Sequence, residues 1–312
     1  MNTTMFHHEV TEEESGKMLH QVLKNRFRFS RRMMSRLRLG RFVTVNGEVI
    51  YFTARVQEGD RIEIRFPEEE TDHIPPQPVP FTVRYEDEDL IVIEKPPGVV
   101  VHPTRGYPDQ TLANGLMHYW QKKGEKHKVR PVTRLDRDTS GLMVVGKHAY
   151  AHAFLAEQMA AKRYERSYLA IVHGAVKEEC GTIDRPIKID VERKVYRYAG
   201  EGEGGTPAVT HFEVAERLPG ATLLRLRLET GRTHQIRIHL SSIGHPIIGD
   251  EMYGIAEEPP LIDRQALHAF HLRLFHPRFR EWLEWEAPLP EDMQQLWERL
   301  KTGGFPASEG ER

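Results

Sequence analysis

The chain lacks the features that would tie it to an oxidising compartment, a membrane or a metal centre. Its single cysteine, Cys180, rules out an internal disulfide framework and the paired-cysteine patterns of zinc sites. No run of about 18 apolar residues is present to span a bilayer as a helix. The start, Met1 to Thr11, is polar and carries histidines where a secretory signal would be apolar. The expectation is a cytoplasmic protein with no membrane contact. Neither a Gly-x-x-x-x-Gly-Lys-Ser/Thr loop nor a Gly-x-Gly-x-x-Gly turn occurs, which removes the usual phosphate cradles of nucleotide-dependent enzymes. There is also no fixed-period repeat. What is present is ordinary for a folded protein: 312 residues, 39% hydrophobic and 29% charged. That length suits two domains better than one. No protein partner is implied, and a monomer is the default.

The formal net charge of −2 conceals a segregation. From Lys17 to Arg41 there is no Asp or Glu, while Lys17, Lys24, Arg26, Arg28, Arg31, Arg32, Arg36, Arg38 and Arg41 are all cationic. A polyanion is the natural partner. Around this stretch, residues 13–66 read as a compact α/β unit. Leu19, Val22 and Leu23 form an apolar stripe on a first helix. Ser30 is placed to cap a second helix, Arg31 to Leu39, and Gly40 to end it. Asn46-Gly47 between Phe42–Val45 and Val49–Tyr51 is a hairpin signal, and Arg61-Ile62-Glu63-Ile64-Arg65 alternates as a half-buried strand. The plainer reading of the cations is a solvated helix face. The absence of interleaved acids and the adjacent helix N-terminus favour RNA phosphates. Ser30-Arg31, Gly40, Val43-Thr44-Val45-Asn46-Gly47 and Gly59-Asp60 resemble a small RNA-binding module shared by a small-subunit ribosomal protein and several RNA-modifying enzymes.

Residues 67–80 turn acidic and then proline-rich (Pro75, Pro76, Pro78, Pro80), the composition of an extended spacer. From 81 to 300 strand-like runs dominate: Leu90–Ile93, Leu142–Val145, Tyr168–Val172, and Leu224, Leu226 and Leu228 alternating with Arg225 and Arg227. The fold class is therefore α+β, a small α/β domain followed by a mixed, mainly antiparallel sheet with peripheral helices. Tyr198 to Thr206 reads as a mobile loop, and residues 301–312 as a disordered tail.

Two segments carry chemistry. Arg134-Leu135-Asp136-Arg137-Asp138-Thr139-Ser140-Gly141 precedes a buried strand. By itself it reads as a turn; it also reads as a loop that presents a carboxylate among arginines. Glu229-Thr230-Gly231-Arg232-Thr233-His234-Gln235-Ile236-Arg237-Ile238-His239-Leu240 fits a strand and a helix in part. The helix is favoured, from about His234 to Ile243, with Thr233 as its cap, Ile236, Leu240 and Ile243 on one face and Gly244 as its stop. Arg237 then lies at the edge of the apolar face, within reach of an internal carboxylate. His234, His239 and His245 lack the spacing of a metal site, so no metal is expected.

Together these segments resemble the catalytic-aspartate motif and the Gly-Arg-x-His-Gln-Ile-Arg motif of the RluA family of pseudouridine synthases. In the family's order there also stand Ile93-Glu94-Lys95-Pro96-Pro97-Gly98, Val101-His102-Pro103, Arg166-Ser167-Tyr168-Leu169-Ala170 with Gly174, Leu267-His268-Ala269, His276-Pro277 and Pro288-Leu289-Pro290. The resemblance implies that Asp136 is the essential aspartate, Tyr168 the tyrosine against the target base, Arg237 the basic residue paired with the aspartate, and Arg134 the arginine that fills the space of a flipped nucleotide. It adds Arg232 to the RNA contacts. Two departures are visible: Thr133 stands where the family has histidine before that arginine, and Arg166 where it has lysine two before the tyrosine.

The implied reaction breaks the bond from ribose to N1 of uracil and joins ribose to C5. It needs a nucleophile or base and a dry pocket, and neither a redox cofactor nor a metal. Whether the aspartate attacks the sugar, attacks the ring or removes a sugar proton is left open by the residues. Structured RNA is the implied substrate, ribosomal RNA before transfer RNA. The rivals are a non-catalytic RNA-binding factor, against which intact Asp136, Tyr168 and Arg237 argue, and a hydrolase built on Ser140, which lacks the Gly-x-Ser-x-Gly elbow.

Overall fold

The computed structural model describes residues 5–66, 73–190, 192, 196–200, 204–257 and 259–303. The acidic half of the expected spacer, the middle of the 198–206 loop and the tail from residue 304 lie outside the described residues.

The basic segment folds into β1 (Met5–Glu9), α1 (Leu19–Phe27), α2 (Arg31–Leu39), β2 (Val43–Val45) and β3 (Arg61–Arg65). Its antiparallel sheet has the order β1-β3-β2. The expected stripe is buried in α1, and the Ser30 hydroxyl accepts the Met33 amide at 3.2 Å to cap α2. Gly40 ends α2 for a reason of space: its φ is −83°, and a Cβ there would stand 2.1 Å from the Phe42 ring.

The Asn46-Gly47 turn forms with both residues at positive φ, as tight hairpin turns require. Its second arm is not the expected Val49–Tyr51, where Tyr51 is 86% exposed. Instead β2 pairs with β3, Val43 opposite Ile64 and Val45 opposite Ile62. The Asn46 side chain redirects the pairing: it donates to Asp60 and accepts from the Arg61 amide, both at 2.8 Å. The two buried isoleucines offer an apolar face that Val49–Tyr51 lacks. β1 lies before Glu13 and pairs with β3, Phe6 opposite Ile64, so the sheet of this unit begins upstream of the expected boundary.

The larger body runs β4 (Thr82–Glu86), β5 (Leu90–Lys95), α3 (Leu112–Lys122), β6 (Arg130–Pro131), β7 (Ser140–Gly146), α4 (Ala149–Ala160), β8 (Tyr164–His173), β9 (Cys180–Asp184), β10 (Ile187–Ile189), β11 (Arg197–Ala199), β12 (Val209–Leu218), β13 (Ala221–Leu228), α5 (Gln235–Ser242), β14 (Leu267–Phe275), β15 (Trp282–Glu286) and α6 (Glu291–Gly303). One sheet of ten strands has the path β4-β5-β7-β14-β8-β13-β12-β9, with β6 beside β7 and β15 beside β14. Its pairs are antiparallel apart from β7 with β14.

Alternation along the strands explains why the central ones are apolar throughout. Ile91, Ile93, Met143 and Val145 pack with Leu116 and Trp120 of α3, Leu240 of α5 and Leu296 of α6. Their neighbours Leu90, Val92, Leu142 and Val144 point the other way, into a cluster with Phe154 of α4 and with Phe6, Phe29 and Phe66 of the N-terminal unit. A sheet covered on both faces needs no polar side, and here the N-terminal unit supplies part of the cover.

Two expectations change accordingly. The proline-rich stretch is extended, but it is laid on α3: Asn114 donates to the Pro75 carbonyl at 2.8 Å, Gln77 takes the Gln110 amide at 2.8 Å, and Val79 is buried. Residues 301–303 belong to α6, where the Lys301 ammonium pairs with Glu216 at 3.2 Å.

Gly141, at the start of β7, has φ +116°, and a Cβ there would meet the Ala269 carbonyl oxygen at 2.2 Å. Gly141→Ala should therefore cost about 2–4 kcal/mol through backbone strain and separation of β7 from β14. Thermal unfolding checks this; an unchanged melting temperature contradicts it.

Candidate active site

The segment from Arg134 to Thr139 links β6 to β7 as an irregular loop held from three sides. Lys95, fully buried at the end of β5, donates to the carbonyls of Pro96, Val99 and Arg137 at 2.7, 2.9 and 2.7 Å. Burial pulls its pKa down to about 7, with the charges of Asp138 and Asp136 opposing that pull, and the three carbonyls use all three ammonium hydrogens. Arg264 donates to the Asp138 carbonyl at 3.0 Å and is itself held by Asp292 at 2.6 and 2.8 Å. Gln265 donates to the Thr139 hydroxyl at 3.2 Å. The loop can therefore present Asp136, a quarter exposed, in a fixed place.

Arg237 faces it from α5. Its Nε and one terminal nitrogen grip Asp250 at 2.6 and 2.7 Å, and the other terminal nitrogen lies 3.5 Å from Asp136. The expected pairing of Arg237 with Asp136 is present, but the tighter partner is Asp250, which the sequence reading did not single out. Asp250 is 3% exposed and also accepts the amides of Met252 and Tyr253, both at 3.0 Å. Burial works to raise its pKa; the Arg237 guanidinium and these amides overcome that and lower it. Asp138, two residues from Asp136 and also on the cleft lining, pairs with the neighbouring Arg137 at 2.9 to 3.0 Å.

The start of α5 departs from expectation. Thr233 is not its cap. His234 occupies that position at φ +57° with no side-chain cap, an unusual conformation for a residue with a Cβ. Gln235 stabilises the turn instead, accepting the Arg232 amide at 3.0 Å and the Thr230 hydroxyl at 2.8 Å. His234 Nδ1 lies 3.0 Å from the Tyr253 hydroxyl, and Arg237 lies over the Tyr253 ring at 5.2 Å. Burial lowers the pKa of His234, with Asp136 opposing.

One open cleft of about 1570 Å³ is lined by Arg134, Asp136, Tyr168, Arg232, His234 and Arg237 among others, with Asp250 and Lys95 behind its wall as supports. That exceeds the roughly 300–1,000 Å³ typical of small-molecule pockets and has room for a nucleotide with its flanking backbone. Tyr168 stands on β8 between Leu226 and Ala269 and is 4% exposed, while Arg134 is exposed at the surface. Thr133 and Arg166, the two departures from the family pattern, are on the same wall. Lys17, Lys24, Arg28, Arg31, Arg32, Arg36, Arg38 and Arg41 are exposed on the N-terminal unit and do not line the cleft. Among them, Arg28 reaches Glu157 of α4 at 3.2 Å.

The rival chemistries do not fit. Ser140 bonds to His268 at 2.9 Å, but both are enclosed in the core, out of reach of a substrate. His234, His239 and His245 have separate partners, Tyr253, Thr210 and the His173 carbonyl, and do not converge. Asp87, Asp89 and His276 do cluster, yet Asp89 is taken up by His148 and Arg278 and Asp87 by backbone amides and the Tyr85 hydroxyl.

Residues 89–242 match the family model described as RNA pseudouridylate synthase, and residues 6–62 match that of the RluD ribosomal pseudouridine synthase N-terminal domain. The chain is 40% identical over 307 residues to ribosomal large subunit pseudouridine synthase D of Escherichia coli K12, covering 94% of this chain and 93% of that protein. It is an RNA pseudouridine synthase. The uncharacterized RNA pseudouridine synthase YlyB of Bacillus subtilis is 43% identical over 265 residues, 84% of this chain and 86% of that protein. Among solved structures, human RNA pseudouridylate synthase domain containing 1 aligns with a TM-score of 0.56 at 26% identity, over 74% of this chain and 99% of that one. Among the described residues, no helix of this synthase is long and apolar enough to cross a membrane.

Asp250→Asn in this synthase removes the counter-charge of a buried guanidinium with little change in volume. The expected cost is about 3–5 kcal/mol of stability and about a hundredfold in single-turnover rate as Arg237 loses its aim, with RNA affinity kept. Because the folded pKa of Asp250 is depressed, its contribution is present above the unfolded carboxylate value near 3.9 and disappears as pH falls through the folded value. The variant should accordingly lose part of the wild-type decline in stability below about pH 4. Parallel acid titrations of the two proteins measure this; identical acid limbs would contradict it.

Proposed function

We propose that Asp136, Tyr168 and Arg237 carry the isomerisation of uridine and that the substrate is large-subunit ribosomal RNA. The observation that bears most weight is the chain of contacts Asp250, Arg237, Asp136: a buried carboxylate fixes a guanidinium, whose remaining edge orients a second carboxylate at the mouth of a cleft. The uridine leaves its helix to reach that carboxylate, at a cost of a few kcal/mol of lost stacking. Arg134, exposed on the rim, is suited to occupy the vacated space, and the near-buried ring of Tyr168 to support the uracil face. Within the cleft the bond from C1′ to N1 breaks, the freed uracil turns, C1′ bonds to C5, and the proton lost from C5 is balanced by one gained at N1. No electrons are gained or lost overall.

Residues 5–66 serve as the RNA-binding domain, joined through 67–80 to a catalytic domain over 81–303. Lys17, Lys24, Arg31, Arg32, Arg36, Arg38 and Arg41 contact phosphates; Arg28, expected with them, is instead engaged by Glu157, and Arg232 adds a cation at the cleft. The choice of ribosomal RNA rests on the similarity to the large-subunit synthase over nearly the full length of both chains. Mapping pseudouridines in RNA from cells with and without the gene tests it, and loss of a transfer RNA site alone would replace it.

Asp136→Asn removes the charge and the nucleophilic oxygen with almost no change in volume. Folding and RNA affinity should survive, while single-turnover conversion falls below detection. Asp138→Asn, whose carboxylate is already paired with Arg137, should retain most activity. Measurable turnover by the first variant, or a loss confined to the second, would mean that the carboxylate is wrongly chosen. Tyr168→Phe should keep more activity than Tyr168→Ala, as stacking requires.

A further inference from the structure

The N-terminal unit is docked by aromatic packing. Phe66 stacks on His148 at 4.7 Å and on Tyr150 at 5.5 Å. Phe29 and Phe6 meet Tyr150 edge-on at 4.9 and 5.4 Å. The guanidinium of Arg278 covers Phe6 at 4.2 Å while holding Asp89 beneath β5. Polar contacts close the rim: Arg280 donates to the Arg26 carbonyl and to the Tyr150 hydroxyl at 2.9 and 3.2 Å, and Arg28 meets Glu157. Phe6, Phe29, Phe66 and Tyr150 are each at most 5% exposed, which is the packing of a core and unlike that of a tethered domain.

The docking places α2 beside the cleft. Met33 and Met34 of α2 and Val132 of the cleft wall pack against the same apolar cluster. Arg130, also on that wall, has its pKa lowered by burial and then by the nearby charge of Arg36. Only Thr133 separates Val132 from Arg134, the residue suited to fill the gap of a flipped nucleotide. The cationic helix and the point of base extrusion are therefore joined through a short run of packed backbone.

We propose that the docked N-terminal unit is a fixed gauge: α2 grips RNA phosphates at a set distance from the cleft, and this geometry selects which uridine enters. The inference rests on the reading that α2 binds RNA and adds site selection to it. A tethered module would raise affinity through effective concentration and tolerate many spacings; a docked one imposes a single spacing, and small displacements from it cost about a hundredfold in rate.

Two alterations test the gauge, with total RNA from cells lacking the gene as substrate and pseudouridines mapped position by position. In the first, Arg28→Cys and Glu157→Cys in a Cys180→Ser background are bridged by a short bis-maleimide, and the linked protein is compared with the same variant left unlinked. Linking should leave both the modified position and the single-turnover rate unchanged. In the second, Phe66→Ala and Tyr150→Ala loosen the dock without removing a cation. Affinity should stay within about threefold, while conversion at the wild-type position falls at least about tenfold or spreads to other uridines. Inactivity or a changed position on linking would show that the unit must swing away and would overturn the proposal. An unchanged rate at the unchanged position in the loosened variants, with loosening verified by faster proteolysis between residues 66 and 73, would also overturn it. Modification of transfer RNA by the unaltered enzyme would displace the ribosomal reading and leave the comparison of linked and loosened proteins intact.

Discussion

A guanidinium that is 8% exposed is expensive unless its charge is answered and its donors are used, and the arrangement of the cleft follows from how Arg237 meets that demand. Asp250 answers the charge with two short bonds and is in turn held by two backbone amides. One terminal nitrogen is left facing Asp136 at 3.5 Å, too long for a tight bond and close enough to set direction. The Asp136 carboxylate is aligned without being fully occupied by its neighbour. The two supports of the site also touch: a Cβ on Gly249 would stand 2.3 Å from the Arg264 carbonyl, so the turn that carries Asp250 packs on the residue that anchors the Asp136 loop.

The sheet beneath this site works through both faces. Ile91 and Ile93 face the helices behind the cleft, while Leu90 and Val92 share a cluster with the aromatic residues of the N-terminal unit. Both units are thus packed on one layer, and the boundary between them is a packed interior as well as a break in composition.

Much of this was legible in the sequence, and the misses have physical reasons. Alternation marked β3 and β13, continuous apolar runs marked β5 and β7, and Ser30 and Gly244 marked helix ends, because each depends on neighbours close in the chain. The family motifs pointed to Asp136, Tyr168 and Arg237, and the fold brings all three to one cleft. Val49–Tyr51 misled because local propensity for a hairpin was outweighed by two buried isoleucines further on. Asp250, which follows the second motif in the sequence, was given no role because an aspartate carries no local sign that it is buried beside an arginine. The left-handed backbone of His234 was equally silent, since only the packing of Gln235 and Tyr253 imposes it. Lys95 stood within a quoted motif, but its three carbonyl partners lie on two separate segments.

The fastening of the Asp136 loop has a consequence for the order in which the protein acquires activity. Lys95 reaches it across 42 residues, and Arg264 and Gln265 across 126; β14, which pairs in parallel with β7 at Ser140 and Gly141, is made near the end of the chain. Contacts this distant in sequence form only after the intervening segments have closed. During synthesis the three strands of the N-terminal sheet are available by Arg65, its aromatic face is covered only once His148 and Tyr150 are made, and the Asp136 loop waits longer still. The place of Asp136 is therefore set late, by residues more than a hundred positions downstream.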